Sequence, residues 1–426
     1  MKRSDTLWVS TLYFAEGLPL MLIRYLGGVY LTDIGVRESL LGLLNLLGIP
    51  WNIKFLWAPF IDLYGTKRSW LLLLQASIGV IAVIMGLVTI FGPAPGLHTG
   101  AFLSSQKTAV EAFVLLLLAG AFISATHDIA IDGFYMDALP DPTSQAAYTG
   151  LRVMTYRLAV IFAKSAIVGV AAYLTWRDAF LATGLTMLAL ALFHWFYLPR
   201  PGLKTRPSKG GVKGYLEAFT TYLSYPRAGW ILLFVATYKL GDELLFSMNT
   251  PFLMRYIHMS KAQLSWVSGV LGTTFSIAGS LISAWAIKRF SLERAIWPLT
   301  LGMNINILAY LGLALFAPDA RTSWGLGIAA SVHAYEQFAS GLGNAVLIVY
   351  IMRTCSPEFK SSHYAIASAI ASLGGVVLGS LSGMIVEAWG YPVLFLISFI
   401  SALPSMVILY FLGVPKEADH LSQEPQ

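Results

Sequence analysis

The stretch Ala121-Phe-Ile-Ser-Ala-Thr-His-Asp-Ile-Ala-Ile-Asp-Gly-Phe-Tyr-Met-Asp137 continues an apolar run that begins near Ala112, although it contains several ionisable side chains. It predicts the second half of a membrane-spanning helix with His127, Asp128 and Asp132 inside it. An ionisable group in hydrocarbon costs at least a few kcal/mol and normally faces a bundle interior or a water-filled path. Asp128 and Asp132 are four residues apart and share one helix face. The stretch therefore predicts functional charges inside a membrane bundle.

An alternative interpretation is a helix end in water whose acidic side chains are simply solvated. This fits Asp137, which is followed by Leu-Pro-Asp-Pro. It does not fit Asp128, which lies about two and a half turns deeper in the predicted helix.

The composition excludes an ordinary soluble protein. The chain has 426 residues, of which 57% are hydrophobic and only 12% are charged. Met1-Lys-Arg-Ser-Asp leads into a segment that is too long and too polar in its middle for a cleavable signal, so we expect the first helix to stay in the membrane. The single cysteine, Cys355, cannot form an internal disulfide.

About twelve apolar segments are long enough to cross about 30 Å of hydrocarbon. A β-barrel would need alternating segments of about ten residues, which the sequence lacks, so all spans are expected to be helices. The predicted fold class is therefore an all-α polytopic membrane protein. The predicted spans are 7–31, 39–63, 70–92, 111–138, 147–174, 178–198, 228–255, 262–287, 296–317, 324–352, 362–387 and 391–413.

The basic residues lie mainly on alternate loops, about sixteen on one side against six on the other. The positive-inside rule then places both termini in the cytoplasm, and this placement explains the net charge of +6 without a nucleic-acid partner. The polar segment 199–227 is predicted as a cytoplasmic linker between an N-terminal six-helix bundle, 1–198, and a C-terminal one, 228–413, followed by a cytoplasmic tail, 414–426. Two pairs of corresponding segments in the two halves have weakly similar sequences, which is typical of transporters built from repeats.

The segment Asp62-x-x-Gly65-x-Lys67-Arg68 resembles the signature of the loop between helices two and three in the major facilitator superfamily, with Ala58 where that pattern usually begins with Gly. The resemblance implies a fold of twelve transmembrane helices in two six-helix bundles. It also implies gating by Asp62, Gly65, Lys67 and Arg68, with a tight turn at Gly65.

Three further runs resemble the branch of AmpG-type muropeptide permeases and acetyl-CoA transporters: Phe14-Ala-Glu-Gly-Leu-Pro19, Gly48-Ile-Pro-Trp-Asn-Ile-Lys-Phe-Leu-Trp-Ala-Pro59 and Thr126-His-Asp-Ile-Ala-Ile-Asp-Gly133. Siderophore permeases share part of the second run. His127 departs from the branch, where we expect Gln. The resemblance implies proton-coupled uptake across the inner membrane by a monomer embedded in the lipid bilayer, with no ATP, cofactor or metal.

Glu16, Lys54, Asp128 and Arg157 each lie about ten residues from the cytoplasmic end of a predicted span, so all four are roughly 15 Å deep, near the bilayer midplane. Carriers that alternate access bind their cargo at this depth. Inside the predicted spans of the N-terminal half, basic residues outnumber acidic ones, which favours an anionic ligand. The bases are Arg24, Lys54, Arg152, Arg157 and Lys164, and the acids are Glu16, Asp128 and Asp132. The predicted substrate-binding residues are Arg157, Lys54, Lys164, Arg24, His127 and Lys239. Arg152 is interpreted as a side chain that snorkels to the membrane surface.

The predicted proton-coupling residues are Asp128, Glu16, Asp132, His333 and Glu336. His333 and Glu336 share a face of the tenth span, and histidine titrates near physiological pH, so they form a second candidate proton site. Lys239 shares a face with Asp242 and Glu243, and an ion pair that stabilises the span is the alternative to its substrate role.

The sequence thus predicts a secondary transporter that imports an anionic solute containing sugar or peptide, and not an enzyme. The cargo is left open among an anhydromuropeptide, a siderophore, an acyl-CoA and another organic anion. A membrane-embedded acyltransferase using His127 and Asp128 as a base pair is a remote alternative, because no nucleophile motif accompanies the histidine. A transporter-like receptor is less favoured, because the short linker and tail provide no signalling domain.

Overall fold

The computed structural model describes residues 4–95, 103–139, 141–200, 220–224, 227–355 and 360–414. In these ranges the regular secondary structure is helical, without strands. Nine helices in them are long and apolar enough to cross a membrane, and the last of these, His363–Leu412, breaks at Gly390, where φ is 80°. That break makes two spans of one helix. Together with the broken helical segment 228–256 and the helix Ser323–Arg353, the described residues contain twelve helical segments that match the predicted spans.

We number the spans α1 to α12. They are α1 Asp5–Asp33, α2 Glu38–Leu56 with the short extension Ala58–Leu63, α3 Lys67–Phe91, α4 Ser104–Ala138, α5 142–173, α6 Trp176–Tyr197, α7 228–256, α8 Lys261–Phe290, α9 Leu292–Phe316, α10 Ser323–Arg353, α11 360–389 and α12 391–412. Four of these helices contain π-helical turns, at Leu22–Leu26, Phe162–Ile167, Phe252–Tyr256 and Ser265–Gly272.

Local sequence explains where several helices begin and break. Thr66 accepts a hydrogen bond from the Ser69 backbone N–H at 3.1 Å, and the Ser69 hydroxyl accepts one from the Thr66 N–H at 3.1 Å, so α3 begins with a capping box. Pro50 and Pro59 each stand at the first turn of a helical piece of α2, because proline lacks the N–H that a continuous helix needs. These breaks place Lys54 in a short 3-10 turn, Lys54–Leu56.

The described residues form two compact units. The first consists of residues within 1–37, 47–206 and 259–273, and the second of residues within 38–46, 207–258 and 274–426. Two short segments, 38–46 and 259–273, therefore belong to the unit built mainly from the other half of the sequence. The predicted linker and tail fall largely outside the described residues, so their boundaries stay predictions.

Each unit has its own aromatic core. In the first, Trp8 packs edge-on against Phe134 with ring centroids 5.7 Å apart, and both side chains are fully buried. In the second, Phe234 and Tyr350 have centroids 4.5 Å apart and are equally buried. In lipid, helices associate through close packing and hydrogen bonds rather than exclusion of water, so these contacts hold the helices that carry the polar groups.

Candidate functional site

A charged contact in the first unit joins α2 to α4. The Lys54 ammonium donates a short hydrogen bond to Asp128 Oδ2. The two side chains are 33% and 18% exposed, so the opposite charges neutralise each other and neither side chain is fully enclosed by protein.

Glu16 of α1 is a close neighbour of Asp128, and its Oε2 atom has no hydrogen-bond partner among the described residues. Two neighbouring carboxyl groups can share a proton between them. Glu16, Asp128 and Lys54 therefore form a group of three that can hold a proton next to an ion pair, and we call it the acid–lysine triad.

One turn away on α4, Asp132 belongs to a separate arrangement. It accepts hydrogen bonds from Arg152 Nη2 at 2.9 Å and from the Tyr13 hydroxyl at 3.2 Å. The Arg152 guanidinium lies over the rings of Tyr13 and Tyr135, 4.2 and 4.4 Å from their centroids. The interpretation of Arg152 as a snorkelling side chain was wrong, because two aromatic rings and a carboxylate hold it inside the unit.

Arg157 of α5 differs from Lys54 and Arg152. It is half-buried and lies near Tyr156, and it has no ion pair or hydrogen bond with any residue that the structure describes. A guanidinium has five N–H donors and stays charged, so this one can bind a carboxylate or phosphate from a ligand through two parallel hydrogen bonds.

Lys164 and Arg24 stand on π-helical turns, which often occur at functional sites. Lys164 is 7% exposed, and its ammonium lies 4.8 Å from the centre of the Tyr25 ring. Arg24 is half-buried and also interacts with the protein. Both bases therefore already interact with the protein.

His127 is fully buried, and neither ring nitrogen has a partner in the described part of the chain. Successive residues of a helix point about 100° apart, so His127 turns away from the face that carries Asp128. The role of His127 as a substrate ligand stays a prediction. Near it, sequence reasoning missed His194, whose ring nitrogens hydrogen-bond Gln75 at 2.9 Å and Thr11 at 3.0 Å.

In the second unit, the break in α7 places Lys239 beside two carboxylates. Its ammonium lies 3.3 Å from Asp242 Oδ2 and 3.7 Å from Glu243 Oε1, and it donates a hydrogen bond to Asn344 Oδ1 at 2.8 Å. Ser340 donates a further hydrogen bond to Asp242 at 3.0 Å. Lys239 is therefore fully engaged, which favours the ion-pair alternative over a role as a substrate anchor.

His333 and Glu336 of α10 are both 1% exposed. His333 Nδ1 lies 2.9 Å from the Tyr310 hydroxyl and 3.6 Å from Glu336 Oε2, which also accepts a hydrogen bond from Gln337 at 2.8 Å. Asn249 of α7 approaches the same oxygen at 3.5 Å. The imidazole and the carboxyl group are close enough to exchange a proton with little movement.

The loop between α2 and α3 turns at Gly65, where φ is 75°, a conformation that glycine adopts without strain. The Lys67 side chain packs against Gly133 of α4, where an added Cβ would lie 3.0 Å from Lys67 Cδ. Arg68 donates a short hydrogen bond to the Trp195 carbonyl of α6. The side chain of Asp62 lies outside the described residues.

The twelve-helix fold and its buried charges define a class of membrane transporter. The model of the Major Facilitator Superfamily matches residues 9–334 and 240–426, and the chain belongs to this superfamily. An uncharacterized protein of Haemophilus influenzae is 29% identical over 423 residues, which cover 96% of this chain and 94% of the relative. The anhydromuropeptide permease of Escherichia coli K12 is 26% identical over 402 residues, which cover 93% and 77% of the two chains.

Among solved structures, a mutant of the nucleoside transporter NupG is similar with a TM-score of 0.70 at 16% identity, covering 95% of this chain and 99% of that one. At this identity the similarity concerns the fold. The predicted superfamily and fold class are confirmed, and a permease of the predicted branch is among the relatives. The chain is a multi-pass membrane transporter of small molecules rather than an enzyme.

Proposed function

We propose that this protein imports an anionic, muropeptide-like solute from the periplasm to the cytoplasm by proton-coupled alternating access. The observation that carries the proposal is the half-buried guanidinium of Arg157, which has no acidic partner in the described residues. An unpaired charge at this depth is costly unless a ligand neutralises it. The similarity to the anhydromuropeptide permease of Escherichia coli supports a cargo with sugar and carboxylate groups.

The acid–lysine triad supports a specific coupling step. While Asp128 is ionised, it occupies the ammonium of Lys54. A proton that binds Asp128 removes its charge and frees Lys54 to join Arg157 in binding the anionic group of the cargo. Protonation of Asp128 leaves the Lys54 ammonium without a counter-charge, and the anionic cargo supplies one. Binding of the proton and binding of the cargo therefore favour each other. Release of the cargo into the cytoplasm restores the Lys54–Asp128 pair and expels the proton.

His333 and Glu336 are the proposed second proton site. Their burial and mutual distance support storage of one proton inside the second unit. We place gating at the turn of Asp62, Gly65, Lys67 and Arg68, since the described members of this turn contact α4 and α6, which can shift as access alternates. The proposed location is the inner membrane, with both termini in the cytoplasm and the protein acting as a monomer.

The proposal is tested by uptake into proteoliposomes with an imposed pH gradient, acid outside. The cargo panel contains a labelled anhydromuropeptide, a ferric siderophore, an acyl-CoA and a neutral disaccharide. We expect accumulation of the anhydromuropeptide that a protonophore abolishes. Accumulation of the siderophore or the acyl-CoA instead would replace the cargo but keep the mechanism. Accumulation of the neutral disaccharide alone would contradict an anionic cargo.

A further inference from the structure

Two fully buried histidines are close neighbours inside the first unit, His127 of α4 and His194 of α6. Neither ring nitrogen of His127 has a hydrogen-bond partner in the described part of the chain. Gln75 of α3 is equally buried, and its amide Nε2 has no partner there either. Buried polar atoms are rarely left unsatisfied, and ordered water bonds them where the protein does not. Water molecules beside His127 and Gln75 would supply these hydrogen bonds.

The surroundings of His194 suit both protonation states of its ring. Nδ1 lies 2.9 Å from Gln75 Oε1, and Nε2 lies 3.0 Å from the Thr11 hydroxyl. That hydroxyl can donate to the Leu7 carbonyl at 3.0 Å or to the Trp8 carbonyl at 3.2 Å. When it does so, both N–H groups of a protonated His194 have an acceptor. When the hydroxyl rotates and donates to Nε2 instead, the neutral ring is satisfied, so rotation of one hydroxyl group accommodates the gain or loss of a proton.

The two rings lie between the depth of Asp128 and the predicted cytoplasmic ends of the helices. His127 directly precedes Asp128 and is eleven residues from the end of α4, about 16 Å along the helix. His194 is three residues from the end of α6, and Thr11 is six residues from the start of α1. These helix ends are the ones predicted to face the cytoplasm. A proton that passes from His127 to His194 therefore moves about 12 Å towards the cytoplasm.

The titratable groups around the rings form a series. Asp128 acts electrostatically on His127, and His127 acts on His194. From the neighbouring helices α1 and α3, Thr11 and Gln75 contribute uncharged groups that hydrogen-bond the second ring. Imidazole can accept a proton on one nitrogen and release one from the other, which makes histidine the commonest side chain for passing protons.

We propose that His127 and His194, bridged by water, form a proton-release path from Asp128 to the cytoplasm through the interior of the first unit. The proposal rests on the proposed coupling, in which Asp128 gives up a proton when the cargo leaves. The Asp128 carboxyl group transfers that proton to His127 and becomes the carboxylate that pairs with Lys54. The His127 imidazolium passes a proton through water to His194 and becomes neutral again. The His194 imidazolium then releases its proton to water at the cytoplasmic side.

Two rates of anhydromuropeptide transport in proteoliposomes test the path. Net uptake driven by a pH gradient requires release of the proton in every cycle, whereas counterflow exchange can proceed while the proton stays bound. The main variant is His127→Gln, because the amide cannot carry a proton and the substitution removes no hydrogen bond to a described residue. His194→Gln tests the second ring. His258→Asn is the matched control, at a histidine that is 46% exposed and has a φ of 62°, which asparagine tolerates.

We expect His127→Gln and His194→Gln to slow net uptake at least about fivefold while counterflow stays within about twofold of wild type, because only proton release is impaired. The control should keep both rates within about twofold. Unchanged net uptake in His127→Gln would mean that the proton takes another route. An equal loss of both rates would mean a structural role. Either result overturns the proposal, and if His194→Gln does not fold, His127→Gln alone decides.

A second measurement needs no cargo and therefore separates this proposal from the proposed function. The protein is labelled with ¹⁵N-histidine in nanodiscs, and the ring signals of His127 and His194 are assigned from the two glutamine variants. We expect magnetisation to pass from water to both rings, since the path contains water. A ring that receives none lies in a dry contact and overturns the path. Failure of muropeptide uptake with water at both rings would overturn only the proposed cargo.

Discussion

At the scale of single residues, the sequence places the important charges in the membrane but does not say which of them pair. Lys54 and Asp128 are far apart in the chain, and only the packing of α2 on α4 brings them together. The same holds for Arg152, whose two tyrosine neighbours come from α1 and α4. The depth of a charged side chain in the membrane follows from counting residues along its helix. Which side chains pair depends on the rotation and tilt of the helices, and counting residues does not give these.

The first residue-scale prediction concerns Asp128. Asn at this position neither binds a proton in the physiological range nor neutralises Lys54, so Asp128→Asn should lose accumulation against a gradient while counterflow exchange survives. The matched control is Glu111→Gln on the same helix, where the side chain is 61% exposed, and it should accumulate cargo as wild type does. If Asp128→Asn still concentrates cargo, the coupling role passes to Glu16 or Asp132.

The second concerns Arg157. The planar guanidinium of arginine can donate two parallel hydrogen bonds to one anionic group, whereas the lysine ammonium cannot. Arg157→Lys should therefore weaken cargo affinity by about 1–2 kcal/mol, roughly five- to thirtyfold. Arg157→Gln should weaken it more, and an amidated cargo analogue should reduce both losses. Arg177→Lys, at a half-exposed arginine, is the control and should leave affinity unchanged. Equal losses for the anionic and amidated cargo in a binding assay would remove Arg157 from the cargo site.

At the scale of helices, hydropathy predicts all twelve spans but not their irregularities. The π-helical turns of α1, α5, α7 and α8 leave no pattern that apolar periodicity can reveal. The break of α7 at Lys239 has only Gly241, two residues later, as a signal in the sequence. The proline breaks of α2 are different, because Pro50 and Pro59 mark them in the sequence.

The helix-scale prediction concerns the contact of α8 with α5. Gly269→Ala places a methyl group against the Ser165 hydroxyl and adjacent backbone, so it should destabilise the protein by about 1–3 kcal/mol, as overpacking does. Gly169→Ala on α5 is the matched control, since nothing lies within 4 Å of its added Cβ, and it should leave stability unchanged or slightly raised. Thermal unfolding followed by a thiol-reactive dye at buried Cys355 measures both. Equal midpoints would show that the two helices do not touch there.

At the scale of the whole molecule, composition and loop charges predict a two-part bundle, and the family match agrees with that prediction. Residues 38–46 and 259–273 each belong to the unit built mainly from the other half of the sequence, and this was not predictable. In the sequence both segments look like the ordinary start of a membrane span. Their membership depends on glycines that allow close helix approach, and a glycine in an apolar span does not reveal which helix it meets.

In the proposed mechanism an anionic cargo and a proton cross the membrane together, and simultaneous measurement of both in one vesicle tests this most directly. Proteoliposomes carrying an entrapped pH dye and little buffer would receive labelled anhydromuropeptide without an imposed gradient. We expect internal acidification that begins with cargo entry in the wild-type protein and is absent in Asp128→Asn, although that variant still exchanges cargo. Cargo entry in the wild-type protein with no change in internal pH would contradict the account.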